Sequence, residues 1–126
     1  MRPYVFGENA YVVLEGELDL YRKDEVAAAL PDPRQVHYVV VNLVRARYID
    51  SVILGMLVGF RRQFLKAGGD PQNFALMLAR DSVIRRSLEL TGLNRLFTIA
   101  YVESAPVLEE RLAQSALRSN PSRTSS

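Results

Sequence analysis

The sequence predicts an α/β fold with a largely parallel β-sheet and α-helices packed on it. Residues 37–43 and 73–79 form continuous apolar runs, which are typical of buried strands in such a sheet. A helical segment follows each run and ends at a glycine, at Gly68 and at Gly92. Because strands alternate with helices through short connections, crossover units and parallel pairing are expected.

The remaining elements follow from local patterns. Residues 4–6 and 10–15 flank a Gly-Glu-Asn turn and predict an opening hairpin, with the first strand antiparallel at the sheet edge. A short helix is expected to begin at Leu20 and to end at Pro31-Asp32-Pro33. The further expected elements are helices over 51–66, 82–91 and 104–118 and a strand over 96–102. We expect one domain over residues 1–118 and a flexible polar tail over 119–126.

Composition narrows the function classes. The chain has 126 residues, of which 48% are hydrophobic and 24% charged, as in an ordinary globular domain. It has no cysteine, which excludes disulfides and thiolate metal sites. No segment has the length of a signal peptide or membrane span, so a soluble, cytoplasmic protein is expected. The net charge of +2 and the lack of a dense basic face argue against nucleic-acid binding.

The most informative segment lies where a strand is expected to lead into a helix. Asp50 and Ser51 stand at that helix start, where either side chain can cap free N–H groups and a phosphate can be accommodated. The run after them, VILGMLVGF, is apolar on every side of a helix. Ile53, Leu57, Phe60 and Phe64 follow helical spacing and are expected in the core. Val52, Met56 and Gly59 remain as candidates for an exposed patch that contacts a partner.

The sequence gives little support for an enzyme. His37 is the only histidine and lies in an apolar strand without a nucleophile motif beside it, so a hydrolase that uses Ser51 with His37 is the least favoured reading. No spacing of residues suggests a metal site, and Gly68-Gly69 lacks the lysine that follows in a phosphate-binding loop. We expect no catalytic residue, no metal and no cofactor.

Four segments together resemble the STAS domain family, the anti-sigma factor antagonists of bacterial partner-switching systems. They are Gly16-Glu17-Leu18-Asp19, the run Tyr48-Ile49-Asp50-Ser51 with Leu54-Gly55, Ala67-Gly68-Gly69, and VIRRSLELTGLNRL over 83–96. The resemblance covers about residues 3–116. It implies a STAS-type mixed sheet and a non-enzymatic protein that acts by binding other proteins.

The resemblance also implies a mechanism and, together with the apolar run after Ser51, a set of partner residues. In typical members, a cognate kinase of the GHKL type, which is also the anti-sigma factor, phosphorylates the serine that matches Ser51. The unphosphorylated form binds that kinase and frees a sigma factor, and the phosphorylated form releases it. The residues expected at the partner surface are Asp19, Asn42, Asp50, Ser51, Val52, Ile53, Met56 and Gly59. The sequence does not determine oligomeric state, and a homodimer stays open.

This chain departs from the family pattern beside the serine. Val52 and Ile53 replace the second serine and the glycine of the usual Asp-Ser-Ser-Gly-Leu-Gly segment, and Asn42 stands where many relatives have aspartate. A β-branched pair lacks the permissive backbone of glycine. The alternative is therefore a STAS scaffold or accessory subunit, in a sensory complex or a transport system, that is not phosphorylated.

Overall fold

The computed structural model describes residues 3–103, which contain seven strands and three α-helices. The strands are β1 (Pro3–Phe6), β2 (Asn9–Val13), β3 (Gly16–Leu18), β4 (Tyr38–Asn42), β5 (Ala46–Ile49), β6 (Phe74–Ala79) and β7 (Thr98–Val102). The helices are α1 (Lys23–Ala29), α2 (Ser51–Lys66) and α3 (Val83–Thr91). The expected helix over 104–118, the domain boundary at 118 and the tail over 119–126 lie outside the described residues.

Five strands form the main sheet in the order β1-β2-β4-β6-β7. β2, β4, β6 and β7 pair in parallel, and β1 pairs with β2 in antiparallel fashion at the edge. The predicted mixed, largely parallel sheet and the antiparallel edge strand are therefore confirmed. Gly7, at φ 61°, opens the two-residue turn between β1 and β2, where a side chain would be strained.

A second, two-stranded sheet was not predicted. β3 and β5 pair in parallel, and they continue the line of β2 and β4 beyond a short break. The N–H of Leu14 donates to the carbonyl of Asn42, and the N–H of Gly16 donates to that of Arg45, so the two chains stay paired across the break. Strands of three and four residues carry too little periodic pattern to be recognised in sequence.

One apolar cluster joins the main sheet to all three helices. Phe74 on β6 is its centre, with its ring 5.5 Å from that of Phe60 and 6.0 Å from that of Phe64 between ring centroids. Leu88 of α3 and Val26 of α1 are buried in the same cluster. Burial of side chains of this size is the main contribution to stability. The expected core stripe of α2, formed by Ile53, Leu57, Phe60 and Phe64, is confirmed.

The other face of the sheet is less covered than the sequence suggested. The apolar run over 37–43 predicts a central strand buried on both faces. β4 is central, and Val39 and Val41 are buried, but Tyr38 is exposed and Val40 is half-buried. The expectation of burial on both faces is wrong, because all three described helices pack on the face that Val39 and Val41 occupy.

The ends of α2 and α3 are closed as their sequences predict. At the end of α2, the N–H of Gly69 donates to the carbonyl of Phe64 and the N–H of Gly68 donates to that of Leu65, so these two carbonyl groups of the last turn have partners. Ser82 caps α3 by accepting from the N–H of Ile84 at 3.0 Å. None of the helices among residues 3–103 is long and apolar enough to cross a membrane.

Alanine at Gly69 is expected to destabilise the protein. A Cβ atom there would lie 2.5 Å from a ring carbon of Phe64, which is fully buried. Because that ring cannot shift without disturbing the core, we expect a loss of about 1–3 kcal/mol in the free energy of unfolding, measured in urea. Gly55→Ala is the control, since a Cβ there meets no atom within 4 Å and the helix should gain about 0.5–1 kcal/mol. Equal stability of the two variants would contradict this packing argument.

Candidate functional site

Two helical segments begin side by side at the end of the small sheet. Leu18 on β3 and Ile49 on β5 are paired, and the N–H of Asp50 donates to the carbonyl of Leu18 at 3.1 Å. Each strand is followed at once by an aspartate that starts a helical turn. Asp19 accepts from the N–H of Tyr21 at 3.0 Å, and Asp50 caps α2. Because neighbouring strands lie about 4.8 Å apart, these two carboxylates belong to one small surface.

Asp50, and not Ser51, supplies the cap of α2. Its Oδ1 atom accepts from the N–H of Val52 at 3.0 Å and from that of Ile53 at 3.1 Å. Ser51 is the first residue of α2 and its side chain is exposed. The sequence allowed either residue to cap the helix, and the structure assigns this task to the aspartate. The hydroxyl of Ser51 therefore stands at the helix mouth where solvent reaches it.

Exposed apolar side chains surround the two aspartates. Tyr21 is 93% exposed and Leu20 is 49% exposed in the turn after Asp19, and Val52 is 40% exposed beside Ser51. We call the six residues Asp19, Leu20, Tyr21, Asp50, Ser51 and Val52 the paired-cap surface. Sequence reasoning included Asp19 but missed Leu20 and Tyr21. The signal that could have found them is an aromatic residue in a polar turn next to a candidate cap, where nothing in the core requires it.

The expected partner residues of α2 separate into three groups. Val52 is exposed, as proposed for the patch, whereas Met56 and Gly59 are half-buried and Met56 packs against the core. Ile53 is fully buried, so its assignment to the partner surface is wrong. Successive helical residues are about 100° apart, which turns Ile53 to the core while its neighbour faces solvent. A substituted Cβ at Gly59 would meet no atom of this chain within 4 Å.

Asn42 lies away from the N-termini of the helices, and its side chain makes two hydrogen bonds within the fold. Its Oδ1 atom accepts from the N–H of Val44 at 2.8 Å, and its Nδ2 atom donates to the hydroxyl of Tyr11 at 2.6 Å. These bonds close the turn between β4 and β5 and fasten it to β2. An aspartate could make both contacts if the Tyr11 hydroxyl donated instead. The contribution of Asn42 to partner binding stays a prediction.

The charges beside the paired-cap surface are partly paired. Arg22, next to Tyr21, donates through Nη1 to the carbonyls of Glu15 and Glu17 and forms an ion pair of 2.7 Å with Glu25. The hydrogen bond from Arg22 keeps the pKa of the Glu25 carboxyl below its ordinary value. Gly16, at φ 81°, lies under the Arg22 guanidinium, which would be 3.2 Å from a Cβ.

The geometry speaks against a Ser51–His37 dyad. His37 precedes the first residue of β4 and lies beside Glu8, 3.4 Å from Nε2 to Oε1. Ser51 follows β5, beyond the opposite end of β4. A strand of five residues spans about 16 Å at about 3.3 Å per residue, so the two side chains cannot exchange a proton. Within residues 3–103, no group of three or more acidic or histidine side chains could hold a metal ion.

Comparison with known proteins places this arrangement in a family. The family model of the STAS domain matches residues 4–115. A curated relative from Staphylococcus epidermidis, named an anti-sigma-B factor antagonist, is 36% identical over 90 residues, which are 70% of this chain and 80% of the relative. The chain therefore belongs to the STAS domain family.

Solved structures agree with the fold. A proposed anti-sigma factor antagonist from Thermotoga maritima has a TM-score of 0.65 at 23% identity, over 86% of this chain and 91% of that one. The phosphorylated form of the Bacillus cell fate determinant SpoIIAA has a TM-score of 0.57 at 20% identity, over 85% and 94% of the two chains. At these identities the likeness concerns the fold, and the expected STAS-type architecture is confirmed.

Replacing Asp50 by alanine is expected to lower the free energy of unfolding by about 1 kcal/mol, because two N–H groups of α2 lose their acceptor. Asp50→Asn keeps an acceptor and should remain close to the parent protein. Ser51→Ala should change stability by less than about 0.5 kcal/mol, as for an ordinary surface residue. Urea denaturation of the three variants measures this order. If Ser51→Ala lowered the free energy of unfolding as much as Asp50→Ala does, the serine would share the capping role.

Proposed function

We propose that this protein is an anti-sigma factor antagonist that binds a regulatory protein through the paired-cap surface. The observation that carries the proposal is an exposed hydroxyl, that of Ser51, which directly follows the capping Asp50 and precedes the exposed Val52, at a helix start that adjoins the one capped by Asp19. Membership of the STAS family and the name of the Staphylococcus relative support the choice of partner class. The role is regulatory and does not require catalysis by this chain.

Phosphorylation of Ser51 is the proposed control. A phosphate would add about −1.5 to −2 charges next to the Asp50 carboxylate and close to that of Asp19. Asp50 already occupies the N–H groups of Val52 and Ile53 that would otherwise stabilise an anion at the helix start. The added charge would therefore be left on the surface, where it opposes the docking of an apolar partner. SpoIIAA, a structural relative, exists in a phosphorylated form, which is consistent with this control.

The proposed partner is an anti-sigma factor that is also a serine kinase of the GHKL type, as the family resemblance implies. Such a partner would contact Tyr21, Leu20 and Val52 in the unphosphorylated state and act on Ser51 from the same side. Both events would take place in the cytoplasm, where sigma factors and ATP are available. A homodimer would need a different surface of this chain if the partner is to reach Ser51.

Incubation with the cognate kinase and ATP is expected to add one phosphate to the protein. Intact-mass analysis should show the addition in the parent chain and its complete absence in Ser51→Ala. Ser82→Ala is the matched control, since Ser82 is also placed at a helix start but is engaged as the cap of α3. Equal phosphorylation of the parent protein and Ser51→Ala, or no phosphorylation of the parent protein, would refute the proposed regulation through Ser51.

Ser51→Asp is expected to weaken partner binding by about tenfold or more, because a fixed negative charge must be desolvated in the contact. Its thermal stability should stay within about 0.5 kcal/mol of the parent protein, since Ser51 is exposed. Gln72→Asp adds the same charge at an exposed residue before β6, at the opposite end of the sheet, and should bind normally. Titration calorimetry and thermal unfolding separate the two effects. Weakened binding that accompanies loss of folding would contradict a surface mechanism.

A scaffold or accessory subunit without phosphorylation is the second candidate. The observation that favours it is Val52, which is β-branched and 40% exposed directly after the serine and so narrows the access of a kinase to Ser51. Such a protein would use the same surface constitutively, in a sensory complex or beside a transporter. Partner binding that is insensitive to ATP, to kinase and to Ser51→Asp would select this function over the first.

A further inference from the structure

Within residues 3–103, the outer edge of the main sheet at β1 has no neighbouring strand. The β1 residues Tyr4, Val5 and Phe6 are all exposed. Proteins usually protect such an edge with charges, bulges or proline. Among residues 3–7, Pro3 at the first position is the one feature of this kind, and none of the five residues carries a charge.

The hairpin register shows which main-chain groups point outward. β1 and β2 are joined by a two-residue turn, so the closing pair Phe6 and Asn9 exchanges hydrogen bonds, as does the pair Tyr4 and Tyr11 two positions away. Val5, between them, faces Ala10 in a non-bonded pair. Its N–H and carbonyl groups therefore point away from β2, toward the open side of the sheet.

From these features we infer that β1 pairs with β1 of a second copy of this chain, antiparallel and centred on Val5. In this register, Val5 exchanges two main-chain hydrogen bonds with Val5 of the second copy, and the two sheets join into one. Directly opposed residues of an antiparallel pair lie on the same face. Tyr4 thus meets Phe6 of the second copy, and Phe6 meets Tyr4 of the second copy.

Self-complementarity favours a second copy over a foreign segment. The strand reads aromatic-Val-aromatic, so a twofold axis at Val5 forms two identical aromatic pairs. Each pair extends a contact already present, because the rings of Tyr4 and Tyr11 lie 6.5 Å apart between centroids. Two chains that each carry a net charge of +2 can also approach here without opposing like charges, since the joining strands are uncharged.

The inferred dimer leaves the paired-cap surface accessible. β1 is the edge strand of the main sheet, whereas Ser51 follows β5 of the small sheet, which continues the line of β2 and β4 past their carboxyl ends. The homodimer therefore goes beyond the proposed function and does not depend on it. A joint of one short strand is small compared with interfaces of about 1,600 Å², so concentration-dependent association is expected instead of a permanent dimer.

Sedimentation of the purified full chain, with no other protein added, tests the inference. Over about 5 to 500 µM, a range suited to weak interfaces, the average mass should rise from 14.2 kDa toward twice that value. Phe6→Lys should lower the association constant by about tenfold or more, because it replaces an aromatic cross-strand pair by a charge. Leu90→Lys is the matched control, since Leu90 on α3 is 75% exposed and Phe6 is 72% exposed.

A second measurement reports on the strand itself and remains valid if Phe6→Lys folds poorly. In the parent protein, exchange of the Val5 amide proton should slow as concentration rises. A monomeric mass at the highest concentration, equal association of Phe6→Lys and Leu90→Lys when both fold, or Val5 exchange that does not depend on concentration would each overturn the inference. A chain that is monomeric alone but whose β1 binds a segment of another protein would overturn it as well.

Discussion

The parallel pairing of β3 with β5 is the constraint on which the site depends. Asp19 and Asp50 are 31 positions apart in the sequence, yet the hydrogen bond from the N–H of Asp50 to the carbonyl of Leu18 brings the two helix starts together. Free N–H groups at a helix start require an acceptor, and an aspartate meets this need at both places. The same requirement that closes the two helical segments therefore concentrates negative charge on one small surface.

Helix α2 shows how one apolar segment can serve both the interior and the surface. Five of its residues are buried against the sheet, and the side chains at Ser51 and Val52 are open to solvent. Removal of apolar area from water stabilises the inner stripe, while the outer residues contribute little to folding. This separation is what would let a change at Ser51 alter binding without a comparable change in stability.

The two residues that depart from the family pattern, Val52 and Ile53, lie in different environments. A valine at position 52 covers more of the helix mouth than a second serine would, and a buried isoleucine at 53 replaces the glycine with a side chain that packs in the core. Ile53 thus anchors α2 in the core, whereas Val52 is the one of the two that a partner would meet. The two neighbouring differences act on different parts of the molecule.

Local chemistry and periodicity in the sequence determined the main elements, the helix caps at Ser82 and Gly92, and the core stripe of α2, because these depend on contacts within a few residues. Parallel pairing was predicted from the alternation of strands with helices. Only the tertiary structure decided that Asp50 and not Ser51 caps α2, and that Leu20 and Tyr21 join the paired-cap surface. The small sheet could not be recognised, since strands of three and four residues are too short to show a period. Exposure and the meeting of distant segments are set by long-range pairing, which no local pattern contains.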